Sequence, residues 1–346
     1  MKILAIDTSC DETAAAVTEN TKVLSNVVWS QASAHAKFGG VMPSLAQRMH
    51  EERIDWVIKK ALNTGHCSLD TVDCIAVTIG PGLSIALKIG VNKAKELAIE
   101  YKKPLIAVNH VEAHLLSPFA NNEYLVSSIK YQVYGLCVSG GNTIFVKINK
   151  IGSYEILAQT VDDALGEALD KAARMLWLGY PGGAILEKFT KFGNSKAYSL
   201  PIPIVGQEKR KIFTYSGLKS AFYRLVEKEK PLTKEKIYNL AASFQNVAFE
   251  HLIRVLRFIF TDHRPLNTDH LLVGGGVTAN IELRKKLRDL CKEYDIKLHI
   301  PYSKKLCGDN AAMIGVTAFL NPKYVSPTEI DRNPNLKIGS YNEFIS

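Results

Sequence analysis

Two histidines, His110 and His114, stand four residues apart in the segment His110-Val-Glu-Ala-His114. Side chains at this spacing project from one face of an α-helix, so both imidazoles could bind a single metal ion. The apolar run at 104–108 predicts a strand just before them. The histidines would then begin the next helix, where α/β folds place ligand-binding residues. The spacing also fits one histidine that caps the helix and one that is solvated, and both interpretations remain open.

Glu112 tests whether this segment is a zinc-protease motif. In the H-E-x-x-H motif of those enzymes, the glutamate directly follows the first histidine and acts as general base. At about 100° per residue, Glu112 lies roughly 200° around the helix from His110, whereas His114 lies only about 40° away. Glu112 therefore faces away from any metal that the histidines hold, which argues against a protease.

The size and charge of the chain narrow the classes of protein. A length of 346 residues favours two domains or two fused halves. The 43 Lys and Arg residues exceed the 34 Asp and Glu residues, giving a formal net charge of +9. That balance favours a polyanionic partner such as RNA, although many basic proteins bind none.

The sequence also predicts the compartment. Its apolar segments are too short to span a membrane, and its start does not resemble an export signal. The six cysteines contain no Cys-x-x-Cys pair, which favours reduced thiols over a disulfide framework. We therefore expect a cytoplasmic protein with no membrane partner.

One structural plan occurs twice along the chain. Three successive strands are predicted at 3–8, 13–18 and 22–28, and again at 134–139, 142–148 and 153–159. Later in each half, an apolar strand precedes a glycine-rich turn and a helix, with turns at Gly80-Pro-Gly82 and Gly274-Gly-Gly276. Such turns let backbone N–H groups approach phosphates, although glycine also suits a tight turn for conformational reasons alone.

This duplication predicts an α/β protein of the actin-like ATPase (ASKHA) fold, with two ribonuclease-H-like halves and a cleft between them. We expect the halves at 1–125 and 126–346, divided by a polar break at 120–131. Helices are predicted at 43–62, 86–101, 163–177, 233–260, 281–294 and 311–320, and an exposed loop at 190–215.

Several polar residues at turns and helix starts are candidates for chemistry. Asp11 and Glu12 lie in the first turn, and because they are adjacent, at most one is expected to point into a cleft. Such an acid could orient a nucleophile or act as base, or it could simply satisfy backbone donors. Asp309 precedes a predicted helix, where it could cap that helix or add a third oxygen ligand to a His-His-Asp metal site.

Further candidates are compatible with an anion or nucleotide. The Val138-Ser-Gly-Gly141 segment could cradle an anion with its backbone N–H groups. Asp170 lies on a predicted helix, where a solvated acidic stripe is the alternative. Gly183 follows Pro181 and indicates either a turn or a close approach of ligand to backbone.

Ten motifs occur together in an order that is typical of one family. They are Ile6-Asp-Thr-Ser-Cys-Asp-Glu-Thr13, Phe38-Gly-Gly-Val-Met-Pro-Ser-Leu-Ala46, Gly80-Pro-Gly-Leu83, Asn109-His-Val-Glu-Ala-His114, Val138-Ser-Gly-Gly-Asn-Thr143, Asp162-Asp-Ala-Leu-Gly-Glu-Ala-Leu-Asp-Lys171, Tyr180-Pro-Gly-Gly183, Thr214-Tyr-Ser-Gly-Leu-Lys219, Gly274-Gly-Gly-Val-Thr-Ala-Asn280 and Cys307-Gly-Asp-Asn310. Over nearly its whole length the chain resembles the bacterial-type tRNA N6-adenosine threonylcarbamoyltransferase family, once called sialoglycoprotein endopeptidase.

The resemblance implies a reaction. A threonylcarbamoyl group would pass from threonylcarbamoyl-adenylate to N6 of adenosine 37, in tRNAs that read codons beginning with A, and AMP would be released. The basic surface would bind the phosphates of the anticodon stem-loop. The family also implies two protein partners, a smaller paralogous subunit and a P-loop ATPase subunit.

The resemblance also implies roles for individual residues. His110, His114 and Asp309 would hold one divalent metal ion, iron or zinc. The adenylate would be bound by Cys137, Val138, Ser139, Gly140, Gly141, Asp170, Gly183, Glu187 and Asn280. Asp11 and Glu12 would assist attack by the exocyclic amine of adenosine.

The chain departs from the usual family pattern at four places, the segment Ser84-Ile-Ala-Leu-Lys88, Asn109, Ala113 and Glu187. None of these removes a candidate metal ligand. Two other functions are weighed against the transferase. One is a non-catalytic actin-like nucleotide-binding scaffold, which would not need a metal site, and the other is the metalloprotease that the position of Glu112 disfavours.

Overall fold

The computed structural model describes residues 1–129, 132–262 and 269–340. Its strands are β1 (Lys2–Asp7), β2 (Glu12–Glu19), β3 (Lys22–Ser30), β4 (Cys74–Gly80), β5 (Leu105–Asn109), β6 (Val133–Val138), β7 (Thr143–Lys150), β8 (Ser153–Thr160), β9 (Ile212–Phe213), β10 (His270–Gly274), β11 (Lys297–His299) and β12 (Tyr324–Val325). Its α-helices are α1 (Ala32–His35), α2 (Pro43–Thr64), α3 (Ser84–Glu100), α4 (His110–Leu116), α5 (Glu123–Ser128), α6 (Leu165–Met175), α7 (Gly182–Thr190), α8 (Ser216–Lys228), α9 (Lys234–Asp262), α10 (Ile281–Glu293) and α11 (Ala311–Leu320).

The strands form two six-stranded sheets that share the topology of five of their strands. The first sheet has the order β12-β5-β4-β1-β2-β3, and the second has the order β11-β10-β6-β7-β8-β9. In each sheet three consecutive strands pair antiparallel, and a later strand, β4 in the first sheet and β10 in the second, joins the first of them in parallel. The sixth strands differ, because β12 pairs with β5 and β9 pairs with β8. The predicted duplication of an α/β unit is confirmed.

Strand β1 shows why these segments become central strands. Its side chains alternate between two cores, because Ile3 and Ala5 pack between the sheets whereas Leu4 and Ile6 pack on the outer face of the first sheet. A strand covered on both faces must be apolar at successive positions rather than at alternate ones. Helices α2 and α3 cover the outer face of the first sheet, and the largest core lies on the outer face of the second.

Helices α4 and α11 lie between the two sheets. Helix α11 is apolar on all sides and is buried from Ala311 to Ala318, as expected for a helix inside a core. It packs against β1 and β2 of the first sheet and against α4, while α4 also contacts β6 and β10 of the second sheet. These two helices therefore join the halves through a shared core.

The predicted partition into 1–125 and 126–346 is wrong for the last elements. Helix α11 packs on the first sheet, and β12 adds an antiparallel strand to that sheet beside β5. The reason is that an all-apolar helix must be covered on every side, and the space between the sheets provides this cover. The predicted break at 120–131 contains α5, and residues 130 and 131 lie outside the described residues, as do 341–346.

Smaller differences concern helix starts and loops. The helix predicted from Asp163 begins at Leu165, and Gly182 and Gly183 begin α7 rather than forming a turn. The predicted loop at 190–215 contains the two-residue strand β9. Among the described residues, none of the helices combines the length and apolarity that crossing a membrane requires.

Gly274 sets the distance between α4 and the second sheet. A Cβ atom at this position would collide with the carbonyl oxygen of His114, so only glycine lets the end of β10 approach the helix. We expect Gly274→Ala to lower the free energy of unfolding by about 2 kcal/mol or more, as overpacking of a core does. Urea denaturation measures this change.

Gly217 provides the matched control for this substitution. It lies in the first turn of α8, and a Cβ atom there would meet open space. Gly217→Ala should leave the stability unchanged or raise it by about 0.4–1 kcal/mol, because it reduces the entropy of the unfolded chain. Equal changes in the free energy of unfolding for the two substitutions would show that the close approach of Gly274 to the carbonyl of His114 does not require glycine.

Candidate metal centre and cleft

A cavity of about 640 Å³ opens between the halves. This volume lies within the range of about 300–1,000 Å³ that is usual for small-molecule sites. The candidate residues that line it are Asp11, Glu12, His110, Ser139, Gly140, Gly141, Asp170, Gly183, Glu187, Asn280 and Asp309. The fold thus brings candidates from both halves to one site.

Helix α4 presents the two histidines from the interior of the protein. Asn109 caps the helix, because its Oδ1 accepts hydrogen bonds from the backbone N–H groups of Val111 (2.9 Å) and Glu112 (3.0 Å). His110 is 5% exposed and His114 is fully buried. The interpretation that one histidine caps the helix and the other is solvated is therefore wrong.

Asp309 meets both histidines. Its Oδ1 lies 3.1 Å from Nε2 of His114 and 3.5 Å from Nε2 of His110. Two ligand atoms bound at about 2.1 Å to one metal ion, at tetrahedral or octahedral angles, are separated by about 3.0–3.4 Å. One ligand atom from each residue lies within 4.8 Å of the others. The residues fit a divalent metal ion.

The charges around this cluster also suit a cation. Burial raises the pKa of Asp309, but the two histidines outweigh that effect and hold the pKa well below its usual range. The carboxylate thus stays ionised. Burial lowers the pKa of His110, yet Asp309 and then Asp7 raise it to about 9, so without a metal this site attracts a proton instead.

Glu112 points to the other side of α4. Its Oε1 accepts hydrogen bonds from the hydroxyl of Tyr154 (2.6 Å) and from Nδ2 of Asn321 (2.7 Å). The carboxylate therefore links α4 to β8 and to the end of α11. This agrees with the angle predicted from the sequence, and the general-base geometry of a zinc protease is not formed.

Asp11 and Glu12 both line the cavity, so the expectation that at most one of them would do so is wrong. Strand alternation does not separate them, because β2 begins at Glu12 and Asp11 still belongs to the preceding turn. The hydroxyl of Tyr180 donates to Oδ2 of Asp11 across the cleft at 3.1 Å. Burial and the charge of Asp11 raise the pKa of Glu12 well above its usual range.

His50 forms hydrogen bonds with the turn that carries Asp11, and the sequence had given no indication of this role. Its Nε2 lies 3.0 Å from the carbonyl oxygen of Cys10 and its Nδ1 lies 2.8 Å from the hydroxyl of Thr13. A carbonyl only accepts, so Nε2 carries the proton and the Thr13 hydroxyl donates to Nδ1. The available signal was periodicity, since His50 shares the buried face of α2 with Ala46 and Ile54.

The Cys137–Gly141 segment divides into two parts. Ser139, Gly140 and Gly141 line the cavity, and a Cβ atom on either glycine would meet open space. Cys137 and Val138 are fully buried, one between the sheets and one in the outer core of the second sheet. The division follows from the end of β6 at Val138, because residues within the strand belong to the cores.

The remaining candidates on the second half line the cavity, and their side chains also form hydrogen bonds with the starts of neighbouring helices. Oδ1 of Asp170 accepts from the N–H of Gly183 at 2.6 Å, which fixes the start of α7 against α6. Oε1 of Glu187 accepts from the N–H of Ile281 at 2.8 Å.

Asn280 caps α10 at the edge of the cavity. Its Oδ1 accepts from the N–H of Glu282 at 3.0 Å. Its Nδ2 donates to Oε1 of Gln245 at 2.8 Å, a partner that the sequence did not indicate.

The two glycine-rich turns both border the cavity, but they differ in their neighbours. In the first turn, the N–H of Gly82 donates to the carbonyl oxygen of Pro334 at 3.1 Å, so this group is not available to a phosphate. In the second turn, Gly276 lines the cavity. Gly275 has a φ of 97°, where a side chain would be strained.

Comparison with known proteins identifies the family. Residues 22–316 match the sequence profile of the tRNA N6-adenosine threonylcarbamoyltransferase family. The chain belongs to this family. As a member, it is a transferase that moves a threonylcarbamoyl group to N6 of an adenosine in tRNA.

Relatives of that name match nearly the whole chain. The enzyme of Pelagibacter ubique is 40% identical over 337 residues, which cover 95% of this chain and 92% of the relative. The enzyme of Clostridium beijerinckii is 43% identical over 343 residues, 97% of this chain and 98% of the relative. The transferase thus spans almost the full length of its relatives.

Solved structures support the fold alone. Full-length HypF, in its phosphate- and nucleotide-bound form, superposes with a TM-score of 0.56 at 13% identity, covering 92% of this chain and 55% of HypF. Component A of the (R)-2-hydroxyglutaryl-CoA dehydratase of Acidaminococcus fermentans gives a TM-score of 0.53 at 12% identity, covering 92% and 98%. The predicted actin-like fold is confirmed.

Proposed function

We propose that the transferase takes its threonylcarbamoyl group from threonylcarbamoyl-adenylate and places it on adenosine 37 of tRNAs that read codons beginning with A, releasing AMP. One observation carries this proposal, namely that the His-His-Asp cluster and the glycine segment 139–141 border the same cavity of about 640 Å³. A nucleotide-sized donor that spans both would meet metal ligands at one end and backbone N–H groups at the other.

The adenylate would bind along the second half. Ser139, Gly140 and Gly141 would face its phosphate with backbone N–H groups, since no side chain of the two glycines shields them. Asp170, Gly183, Glu187 and Asn280 would contact the ribose and base. Their hydrogen bonds to neighbouring backbone or to Gln245 fix their positions before the ligand arrives.

His110, His114 and Asp309 would hold one iron or zinc ion, because imidazole and carboxylate ligands suit both metals. When bound, the ion would act as a Lewis acid on an oxygen of the carbamoyl or phosphate group. The side chains keep His110 and Asp309 at the cavity wall and His114 behind them.

Asp11 and Glu12 would take up the proton that the reaction releases. The exocyclic N6 of adenosine forms a bond to the carbamoyl carbon, the bond from that carbon to the phosphate oxygen breaks, and AMP leaves with the electron pair. The N6 nitrogen must also lose a proton, and a carboxylate in the cavity can accept it. The raised pKa of Glu12 makes its carboxylate a stronger proton acceptor than an ordinary glutamate.

The proposal also covers partners and compartment. The net charge of +9 supports binding of the anticodon stem-loop through its phosphates. The smaller paralogous subunit and the P-loop ATPase subunit are proposed from the resemblance of the sequence to its family. The cytoplasm is the proposed compartment, and the six free cysteines are compatible with it.

The donor is tested by incubating the protein and its proposed subunits with synthetic threonylcarbamoyl-adenylate and unmodified tRNA. Nuclease digestion and mass spectrometry should then detect threonylcarbamoyladenosine, and AMP should appear in equal amount. A tRNA with guanosine at position 37 is the matched control and should remain unmodified. Formation of AMP without modified nucleoside would contradict the assignment of the acceptor.

The metal centre is tested by His114→Ala with His66→Asn as its control. His114→Ala should lose bound metal, measured by elemental analysis, and should lower the transfer rate at least 100-fold because one of three ligands is gone. His66 is exposed beyond the end of α2 and does not line the cavity, so its variant should match the wild type. Full metal content in the His114 variant would refute the ligand assignment.

The acids are tested by Asp11→Asn and Glu12→Gln. Each substitution should lower kcat by about 100-fold or more, in the range typical of a lost general base, while KM for the adenylate changes little. Glu19→Gln alters the opposite end of β2, away from the cavity, and should leave both constants unchanged. A rise in KM at constant kcat would instead indicate that the acids only bind substrate.

A further inference from the structure

The C-terminal residues 326–338 cross the first half beside the cavity, and we call them the C-terminal strap. Ile330 and Leu336 anchor it, since they are 7% and 3% exposed and pack in the outer core of the first sheet. Backbone hydrogen bonds run from the N–H of Asn333 to Ile79 (2.7 Å) and from Gly82 to Pro334 (3.1 Å). The strap therefore packs against the end of β4 and its glycine turn.

Two charged side chains hold the strap to α3. Nζ of Lys95 donates to the carbonyl oxygen of Ile330 at 3.1 Å. Nε of Arg332 donates to the hydroxyl of Ser84, the first residue of α3, at 3.3 Å. Side-chain anchors, buried apolar residues and backbone hydrogen bonds together fix the strap along the first half.

Asn109 connects this strap to the metal-binding helix. Its Oδ1 caps α4 through the N–H groups of Val111 and Glu112, and its Nδ2 donates to the carbonyl oxygen of Lys337 at 3.2 Å. Asn109 is fully buried, between the last pairing of β5 and the first metal-binding histidine. The amide of Asn109 thus accepts hydrogen bonds from α4 and donates one to the strap.

We propose that Asn109 is a positioning residue through which the C-terminal strap sets the orientation of His110 and His114. This inference rests on the metal centre proposed above. An amide carries its acceptor and its donor on separate atoms, so it can cap α4 and donate to Lys337 at the same time, whereas alanine offers neither group. Ser84 begins α3 and Asn109 caps α4, and both contact the strap.

The coupling has a physical basis in the helix cap. The capped N–H groups belong to the first turn of α4, which carries His110, so a movement of the amide tilts that turn. Residues that orient metal ligands typically change metal affinity about 10- to 100-fold when they are replaced. The hydrogen bond from Asn109 to Lys337 therefore gives the strap a direct connection to the turn that carries His110.

The test measures Zn²⁺ affinity by competition with a chelating dye, and hydrogen exchange of residues 109–116 in the metal-free protein. Asn109→Ala should weaken Zn²⁺ binding at least tenfold and speed exchange of the capped amides. Asn109→Ser retains an oxygen that can cap the helix and should have an intermediate effect. It also keeps the test decisive if the alanine variant does not fold.

Leu336→Ala tests the strap itself. Leu336 packs in the outer core of the first sheet, whereas α4 lies between the sheets. The variant should nevertheless weaken Zn²⁺ binding threefold or more and speed exchange in α4. Unchanged affinity and exchange in this variant would overturn the proposal.

Asn122→Ala is the matched control. Asn122 caps α5 by accepting from the N–H of Leu125 at 3.0 Å, so its loss removes a comparable cap elsewhere. Zn²⁺ affinity and exchange in α4 should stay within twofold of the wild type. If the wild type bound no Zn²⁺ or Fe²⁺, the proposed metal centre would fail, while faster exchange in Leu336→Ala would still support the link through Asn109.

Discussion

The burial of α4 and α11 between the two sheets is the constraint on which the site depends. Both helices are enclosed by strands, and each begins at an asparagine cap, Asn109 for α4 and Asn310 for α11. His110 directly follows the first cap and Asp309 directly precedes the second. The metal cluster is thus where two capped helix starts meet, so its geometry follows from the packing of the shared core.

The polar groups around the cleft hold the structure as well as face the ligand. Asp170 fixes α7, Asn280 caps α10, and Glu187 accepts from the first N–H of the same helix. A side chain held in this way needs little rearrangement when a ligand binds, which lowers the entropic cost of binding. The hydrogen bond from Tyr180 to Asp11 adds a direct link between the halves across the cavity.

The duplicated fold is used asymmetrically. Its two glycine-rich turns occupy equivalent places after β4 and β10, and both border the cavity, yet the chain's own C-terminal strap packs on the first, where the N–H of Gly82 donates to Pro334. Backbone N–H groups that already donate within the protein are not available to an anion. The same glycine-rich pattern therefore has different neighbours in the two halves.

Local patterns in the sequence were sufficient to predict the repeated strands, the apolar helix at 311–320, the shared face of His110 and His114, and the direction of Glu112. These follow from local periodicity, which depends on backbone geometry alone. The resemblance to the family, rather than any local pattern, implied that Asp309 joins the histidines, and its contact with them and the packing of α11 on the first half depend on the tertiary structure. The tertiary structure also decided that Asp11 and Glu12 both face the cavity, and that Asn109 bridges to Lys337, 228 residues away. Contacts of this kind arise when distant segments pack together, and no spacing along the chain encodes them.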